Sequence, residues 1–249
     1  MAFKQAVSRW PLKDLSDEQI RQIREIGIEG IEMPPPQEYS RWQDSGFAIA
    51  TIVGHQSLTD GLNKKENHAR IADEIRANLE VAKQNKIAGL ICFSGNRNGI
   101  SEEEGAANTI EGLSVVADDA EKAGVTLLVE LLNSKVDHDD YQCDRTAWGA
   151  QVMREVNSPR VKLLFDIYHM QIMEGDLIRN IRDHIEYIGH FHTAGNPGRL
   201  DLDDEQEIFY PAIARAIRDT GFDGWVGHEF SPKGDVVSAL RQAYDALKI

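Results

Sequence analysis

The sequence predicts a single (β/α)8 TIM barrel of the α/β class, and three observations carry that reading. Short apolar runs alternate eight times with amphipathic helical stretches. The chain has 249 residues, close to the roughly 250 typical of such a barrel. No Gly-rich phosphate turn follows the first strand, which separates the closed barrel from a doubly wound open sheet. No repeat, linker or shift in composition divides the chain, so residues 1–249 read as one domain.

The first strand is Lys4–Ser8, followed by Arg9-Trp10-Pro11. Ser16-Asp17-Glu18-Gln19 is a capping-box pattern, and Ile20, Ile23 and Ile26 then form one helical face that Gly27 closes. Residues 28–33 make a second strand, stopped by Pro34-Pro35-Pro36, which cannot continue a ladder. A short helix over 37–44 leads to a third strand, 47–53, ending at Gly54-His55. A long helix over 64–85 carries Ile71, Ile75 and Leu79 on one face. The fourth strand, 88–93, runs into a polar loop. Ser101-Glu102-Glu103-Glu104 then caps a helix that ends at Gly124. After the fifth strand, 125–130, comes an acidic loop, 133–142, read as mobile and a lid candidate, with Asp144 capping a helix striped by Trp148, Val152 and Val156. Val161–Asp166 is the sixth strand. A loop through Gly175 and an N-cap at Asp176 feed the helix Leu177–His184. The seventh strand is 187–192, a Gly/Pro loop spans 193–204, a helix covers 211–220, and the eighth strand is 225–230. The last helix aligns Val236-Val237, Leu240, Tyr244 and Leu247.

Composition narrows the function. The net charge of -14 argues against a nucleic-acid partner, which is held by clustered Lys and Arg. It suits a site for a divalent cation. No apolar run approaches the roughly 20 residues that span a bilayer, so no membrane partner is expected. Met1-Ala2-Phe3-Lys4 lacks the layout of a secretory leader. Cys92 and Cys143 match no zinc or disulfide framework, and a reducing cytoplasm is the default location.

The chemistry lies at the strand ends, where barrel enzymes place their sites. The fifth to eighth strands end in Glu130, Asp166, His192 and Glu229. Period-two alternation puts each on the same side as an inward neighbour, namely Leu128, Leu164, His190 and Gly227. Three converging carboxylates repel unless a cation sits between them. Oxygen-rich ligands with one imidazole suit one Mg²⁺ or Mn²⁺. Two glutamates beside such a cation can also move a proton between adjacent carbons of a hydroxy-carbonyl compound, one as base and one as acid.

Three stretches carry a family resemblance: Phe165–Asp176 (FDIYHMQIMEGD), His192–Arg199 (HTAGNPGR) and Gly221–Pro232 (GFDGWVGHEFSP). They are similar to the hydroxypyruvate isomerase family, within the xylose isomerase-like barrels that include the tagatose epimerases. The resemblance implies a divalent metal on Glu130, Asp166, His192 and Glu229, with Glu130 and Glu229 as the proton-transfer pair. It also implies that His169, of Asp-x-x-His, and Arg199, closing Asn-Pro-Gly-Arg, contact substrate oxygens. Two departures stand out. His192 takes a position where hydroxypyruvate isomerase proper tends to carry glutamine and the epimerase branch histidine. Ile91 takes a position where the narrower family carries a histidine.

Other residues have plainer roles open to them. His55 lines the mouth or hydrogen-bonds at the rim, the two being equally balanced. Asn133 is close enough in sequence to orient Glu130 and to meet substrate. Glu32 reads as a salt bridge to a neighbouring loop, Trp10 and Pro34 to Pro36 as loop packing or an apolar pocket wall, His190 as an inner-layer histidine and His228 as structural. The expected partner is a small hydroxy-carbonyl or sugar substrate. The expected activity is isomerisation of a hydroxypyruvate-like or tartronate semialdehyde-like compound through a cis-enediolate. A ketose 3-epimerase is the alternative within the class. A polyol dehydratase, an endonuclease IV-like hydrolase or a non-catalytic sugar binder are the alternatives outside it. The oligomeric state stays open, a homo-oligomer included.

Overall fold

The computed structural model describes residues 2–12 and 14–249; Met1, part of the N-terminal stretch read above, lies outside them. Eight strands close into one parallel barrel: β1 (Lys4–Ser8), β2 (Gly30–Glu32), β3 (Ala48–Val53), β4 (Gly89–Cys92), β5 (Thr126–Glu130), β6 (Val161–Asp166), β7 (Ile188–Thr193) and β8 (Trp225–His228). Each pairs with the next, and β8 returns to β1. Around them lie α1 (Asp17–Ile26), α2 (Tyr39–Asp44), α3 (His68–Asn85), α4 (Glu102–Ala123), α5 (Thr146–Val156), α6 (Ile167–Met173), α7 (Leu177–His184), α8 (Tyr210–Asp219) and α9 (Val236–Leu247). Among the described residues no helix is long and apolar enough to cross a membrane.

Strand alternation sorts the apolar side chains into two layers. Outward residues such as Leu127, Val129, Leu163, Phe165, Phe191 and Val226 join the helices in the main core. Inward residues Ile91, Leu128 and Leu164 form a small separate plug inside the barrel, with Met33 and Phe93 against it. Ile91 is therefore part of the floor beneath the strand ends.

Local sequence explains most boundaries. Ser16 and Gln19 make the reciprocal capping box of α1, and Gly27 ends it at φ 115. Ser101 caps α4 through the Glu104 amide, and Gly124 closes that helix. Three expectations are corrected. The stretch after Asp166 is a helix, α6, that starts directly from the strand with Asp166 as its N-cap. Asp176 precedes α7 in a left-handed conformation without capping it, and instead pairs with Arg179 at 2.9 Å. Asp144 does not cap α5, whose N-cap position is Arg145. Asp144 instead pairs with Arg97 at 2.9 Å and accepts from the Ser134 hydroxyl. For Asp176 and Asp144, a carboxylate that local pattern assigns to a helix end pairs with an arginine instead.

Candidate metal centre and active site

The register of the last strands sets the site. Asp166 lies beside His192 and His192 beside Gly227, so the strand-end side chains point to one place above the inner plug. One ligand atom from each of Glu130, Asp166, His192 and Glu229 lies within 4.8 Å of the others, and all four residues are buried. His192 Nδ1 is 3.0 Å from Glu229 Oε2, 3.4 Å from Glu130 Oε1 and 3.9 Å from Asp166 Oδ2. That nitrogen has no hydrogen-bond partner although it is buried. Buried groups left this way normally have an ion, water or functional explanation. The edge of an octahedron of oxygens about 2.1 Å from Mg²⁺ is about 3 Å, comparable to the shorter separations here. The donor set fits a hard divalent cation.

Asp166 explains the Asp-x-x-His spacing. As N-cap of α6 it accepts the His169 amide on Oδ1 at 3.1 Å, the usual N-cap geometry. Its other oxygen, Oδ2, stays with the cluster. The same turn brings His169 Nε2 to 3.7 Å from that oxygen. His169 is fully buried and its Nε2 has no hydrogen-bond partner. Its Nδ1 is 2.6 Å from the Asn133 amide nitrogen. The orientation of that amide is set because Asn133 Oδ1 accepts the backbone N–H groups of Val136 and Asp137 at 3.0 and 2.9 Å. An amide N–H aimed at Nδ1 makes that nitrogen the acceptor, so the His169 proton sits on Nε2, facing the site. Burial, then the Arg199 charge, hold this ring well below the usual histidine range, hence neutral. Asn133 thus orients His169 and Asp137, rather than Glu130.

Arg199 closes the site from above. Its Nη2 is 2.5 Å from Glu229 Oε2 and 4.0 Å from Asp166 Oδ2, and the guanidinium lies over the rings of Trp10 and Tyr168 at 5.5 and 5.9 Å. Trp10 is more than a pocket wall, because its indole N–H donates to Glu229 Oε1 at 2.8 Å. Tyr168 donates to Asp137 at 2.9 Å, and Asn133 donates to the same oxygen at 2.6 Å. The 133–142 loop is also pinned to the loop after β4, through Tyr141, which touches Asn96, Ser94 and the Glu130 carbonyl.

Protein charges alone split the two glutamates. Burial raises Glu130 to about 6. Burial pushes Glu229 in the same direction, but Arg199 and His192 outweigh it and hold that carboxyl well below the usual range. His192, despite burial, is held well above the usual histidine range by Glu229 and Glu32.

The other expectations divide. His190 lies inside the barrel, with Nε2 2.6 Å from Glu32 Oε1. His228 is structural, bonded to the Thr193 hydroxyl and the Gln5 amide oxygen at 2.9 and 2.8 Å. His55 is buried and tied by both ring nitrogens to backbone, accepting the Phe93 amide at 2.9 Å and bonding the Gln56 carbonyl at 3.1 Å. It braces the loops after β3 and β4, and its nitrogens are not presented to the cluster. Glu32 is a correction: it turns into the barrel to His190 and His192 instead of pairing with a loop. Sequence reasoning overlooked Asp137, Tyr168, the inward role of Glu32 and the donor role of Trp10. Glu32 and Trp10 lie at or just beyond the ends of β2 and β1, so the strand-end rule could have found them.

A family profile described as xylose isomerase-like TIM barrel matches residues 20–248. The chain is similar to the hydroxypyruvate isomerase of Escherichia coli K12, 28% identical over 201 residues, covering 80% of this chain and 72% of the relative. It is also similar to the 2-oxo-tetronate isomerase of Cupriavidus necator, 35% identical over 134 residues, which cover 54% of this chain and 51% of that protein. Among solved structures, a Brucella melitensis protein described as AP endonuclease, family 2, superposes with a TM-score of 0.80 at 25% identity over 96% of both chains. The 3-keto-D-glucoside 4-epimerase of E. coli also reaches 0.80, at 20% identity over 99% of both, and speaks to the fold alone. With the profile spanning nearly the whole barrel and the three motifs meeting at one buried cluster, the chain belongs to the xylose isomerase-like TIM barrel family, on its hydroxypyruvate isomerase side, and is an enzyme of the isomerase or epimerase class.

Proposed function

We propose that the protein isomerises a small hydroxy-carbonyl acid of the hydroxypyruvate or tartronate semialdehyde type, with one Mg²⁺ or Mn²⁺ on Glu130, Asp166, His192 and Glu229. The observation that carries this reading is the convergence of those four buried side chains, two of them the glutamates that can move a proton. Both relatives named above take their names from hydroxy-oxo acids, which supports an acidic substrate.

When bound, the cation supplies polarisation of the substrate carbonyl and stabilises the negative charge that develops there. Glu229, kept ionised by Arg199, removes a proton from the carbon beside that carbonyl. Glu130, protonated more readily because it is buried, returns a proton at the former carbonyl carbon, while the hydroxyl proton of the first carbon passes to the former carbonyl oxygen, and the two glutamates exchange roles in the reverse direction. His169 offers a neutral N–H to a substrate oxygen, and Arg199 meets the substrate carboxylate. Return of the proton to the opposite face of the same carbon would give epimerisation. A ketose 3-epimerase is the second reading, favoured by histidine at 192, which the resemblance associates with that branch.

The test is turnover of hydroxypyruvate, tartronate semialdehyde and neutral ketoses with Mg²⁺ or Mn²⁺, alongside deuterium wash-in. Glu130→Gln and Glu229→Gln should each lower kcat by about 10²–10⁴-fold at saturating Mn²⁺. Normal turnover by both variants would reduce the glutamates to ligands, and turnover of neutral ketoses alone would select the epimerase.

A further inference from the structure

We infer that Glu32, on β2, is the positioning residue that decides which nitrogen of His192 faces the cation, and that Gly227 exists as the slot that admits it. This rests on the reading of His192 as a metal ligand.

Glu32 and His192 stand on β2 and β7, separated around the barrel by β8 and β1. The carboxylate spans that gap because the residues between are small. Ser8, on β1, donates to Glu32 Oε2 at 3.4 Å. On β8, a Cβ built on Gly227 would lie 2.3 Å from Oε2 and 2.6 Å from Cδ, closer than any side chain permits. The carboxylate is fully buried. Such a charge is tolerated in the interior only when paired. Its partners are two imidazoles, His190 Nε2 at 2.6 Å from Oε1 and His192 Nε2 at 2.8 Å from Oε2. Engaging both oxygens keeps the carboxylate from rotating away.

Neither contact is a well-directed hydrogen bond; both are bent, close approaches of a ring nitrogen to a carboxylate oxygen. An unprotonated nitrogen at 2.8 Å would still set its lone pair against an anionic oxygen, so His192 carries a proton on Nε2. A neutral imidazole has one N–H, which leaves the Nδ1 lone pair for the site where three more carboxylates meet. Metal-bound histidines commonly have their other nitrogen held in this way, and losing such a partner typically costs 10–100-fold in affinity.

The same atoms raise a competing idea, a second ion among Glu32, His190 and His192, whose donor atoms also lie within 4.8 Å of one another. The distances decide against it. Ligands about 2.1 Å from an octahedral ion lie about 3 Å or more apart. Separations of 2.6 and 2.8 Å leave no room for an ion between N and O, only a proton.

The experiment compares wild type, Glu32→Gln and Gly227→Ala by Mn²⁺ titration calorimetry, melting of the chelated proteins, and ¹⁵N spectra of histidine-labelled Mg²⁺ protein. Glutamine preserves shape but cannot accept from both rings. Alanine displaces Glu32 without altering it. Expected are one Mn²⁺ per chain in wild type, binding about 10–100-fold weaker in both variants, and a wild-type His192 protonated at Nε2 and unprotonated at Nδ1. Unchanged Mn²⁺ affinity in the variants would overturn the inference. So would a wild-type His192 bearing its proton on Nδ1, or weaker binding accompanied by an equal collapse of the metal-free melting temperature. Two ions in wild type and one in Glu32→Gln would install the second-ion reading instead. Should Glu32→Gln not fold, the wild-type spectrum and Gly227→Ala still decide. A wild type that binds no Mn²⁺ would remove the metal reading itself, a failure distinct from the others.

Discussion

Asn133 uses every hydrogen-bonding valence that matters at this site. Its oxygen takes two backbone N–H groups, and its amide protons go to Asp137 and His169. Asn133→Ala should cost about 1–3 kcal/mol of stability, because a buried imidazole nitrogen loses its partner. It should also cost roughly tenfold in kcat/KM, since His169 is then free to carry its proton on the wrong nitrogen. Denaturant melts and steady-state kinetics check this, and a variant with lost stability but normal kcat/KM would count against the tautomer role. Arg199 is the residue proposed to distinguish acids from neutral sugars. Arg199→Lys keeps the charge but not the fork that grips a carboxylate or the stacking on Trp10 and Tyr168. KM should rise more for hydroxypyruvate than for any neutral ketose; equal increases would mean that Arg199 only braces its loop.

At the scale of an element, the junction of β6 and α6 combines two functions in one carboxylate. One oxygen of Asp166 starts the helix and the other faces the candidate cation site. The two functions should separate by substitution. Asparagine caps a helix as well as aspartate does, so Asp166→Asn should melt close to wild type while losing activity that excess Mn²⁺ partly restores. Asp166→Ala should lose about 1 kcal/mol in addition. Equal melting temperatures for the two variants would show that the cap contributes nothing. The junction also shows what local pattern reading loses. Ile167, Tyr168, Met170 and Met173 are buried, but seven residues offer too few turns for a periodic stripe to stand out, and the helix was legible only as an extended loop. Asp176 and Asp144 look like caps in sequence because they precede apolar stripes. Arg179 and Arg97 claim them in space.

For the whole molecule, the buried histidines make stability depend on pH. Burial lowers His228 to about 4, although the Glu32 charge opposes it. Between about 6.5 and 4 the unfolded chain therefore binds a proton that the folded protein refuses. Stability from this group is complete above the unfolded value and falls as pH drops through that window, by about 3 kcal/mol in full. His192, raised by its carboxylates, has the opposite sign, so the comparison must be with a variant. His228→Gln can still meet Thr193 and Gln5, and its unfolding free energy should fall less steeply than that of wild type from pH 7 to 5. Parallel slopes in chelator would rule the effect out.

Alternation of period two, strand count and chain length were enough to call the barrel, and the barrel rule then picked out Glu130, Asp166, His192 and Glu229, because each sits at a strand end where backbone geometry alone dictates direction. Tertiary structure decided whatever depends on distance across the barrel. Glu32 reaching His192 through the space of Gly227, Trp10 donating to Glu229, and Asn133 turning to His169 instead of Glu130 join residues up to 219 positions apart. A linear pattern records which face a residue takes, but the partner it meets there is set by strand register and by the volume its neighbours leave empty.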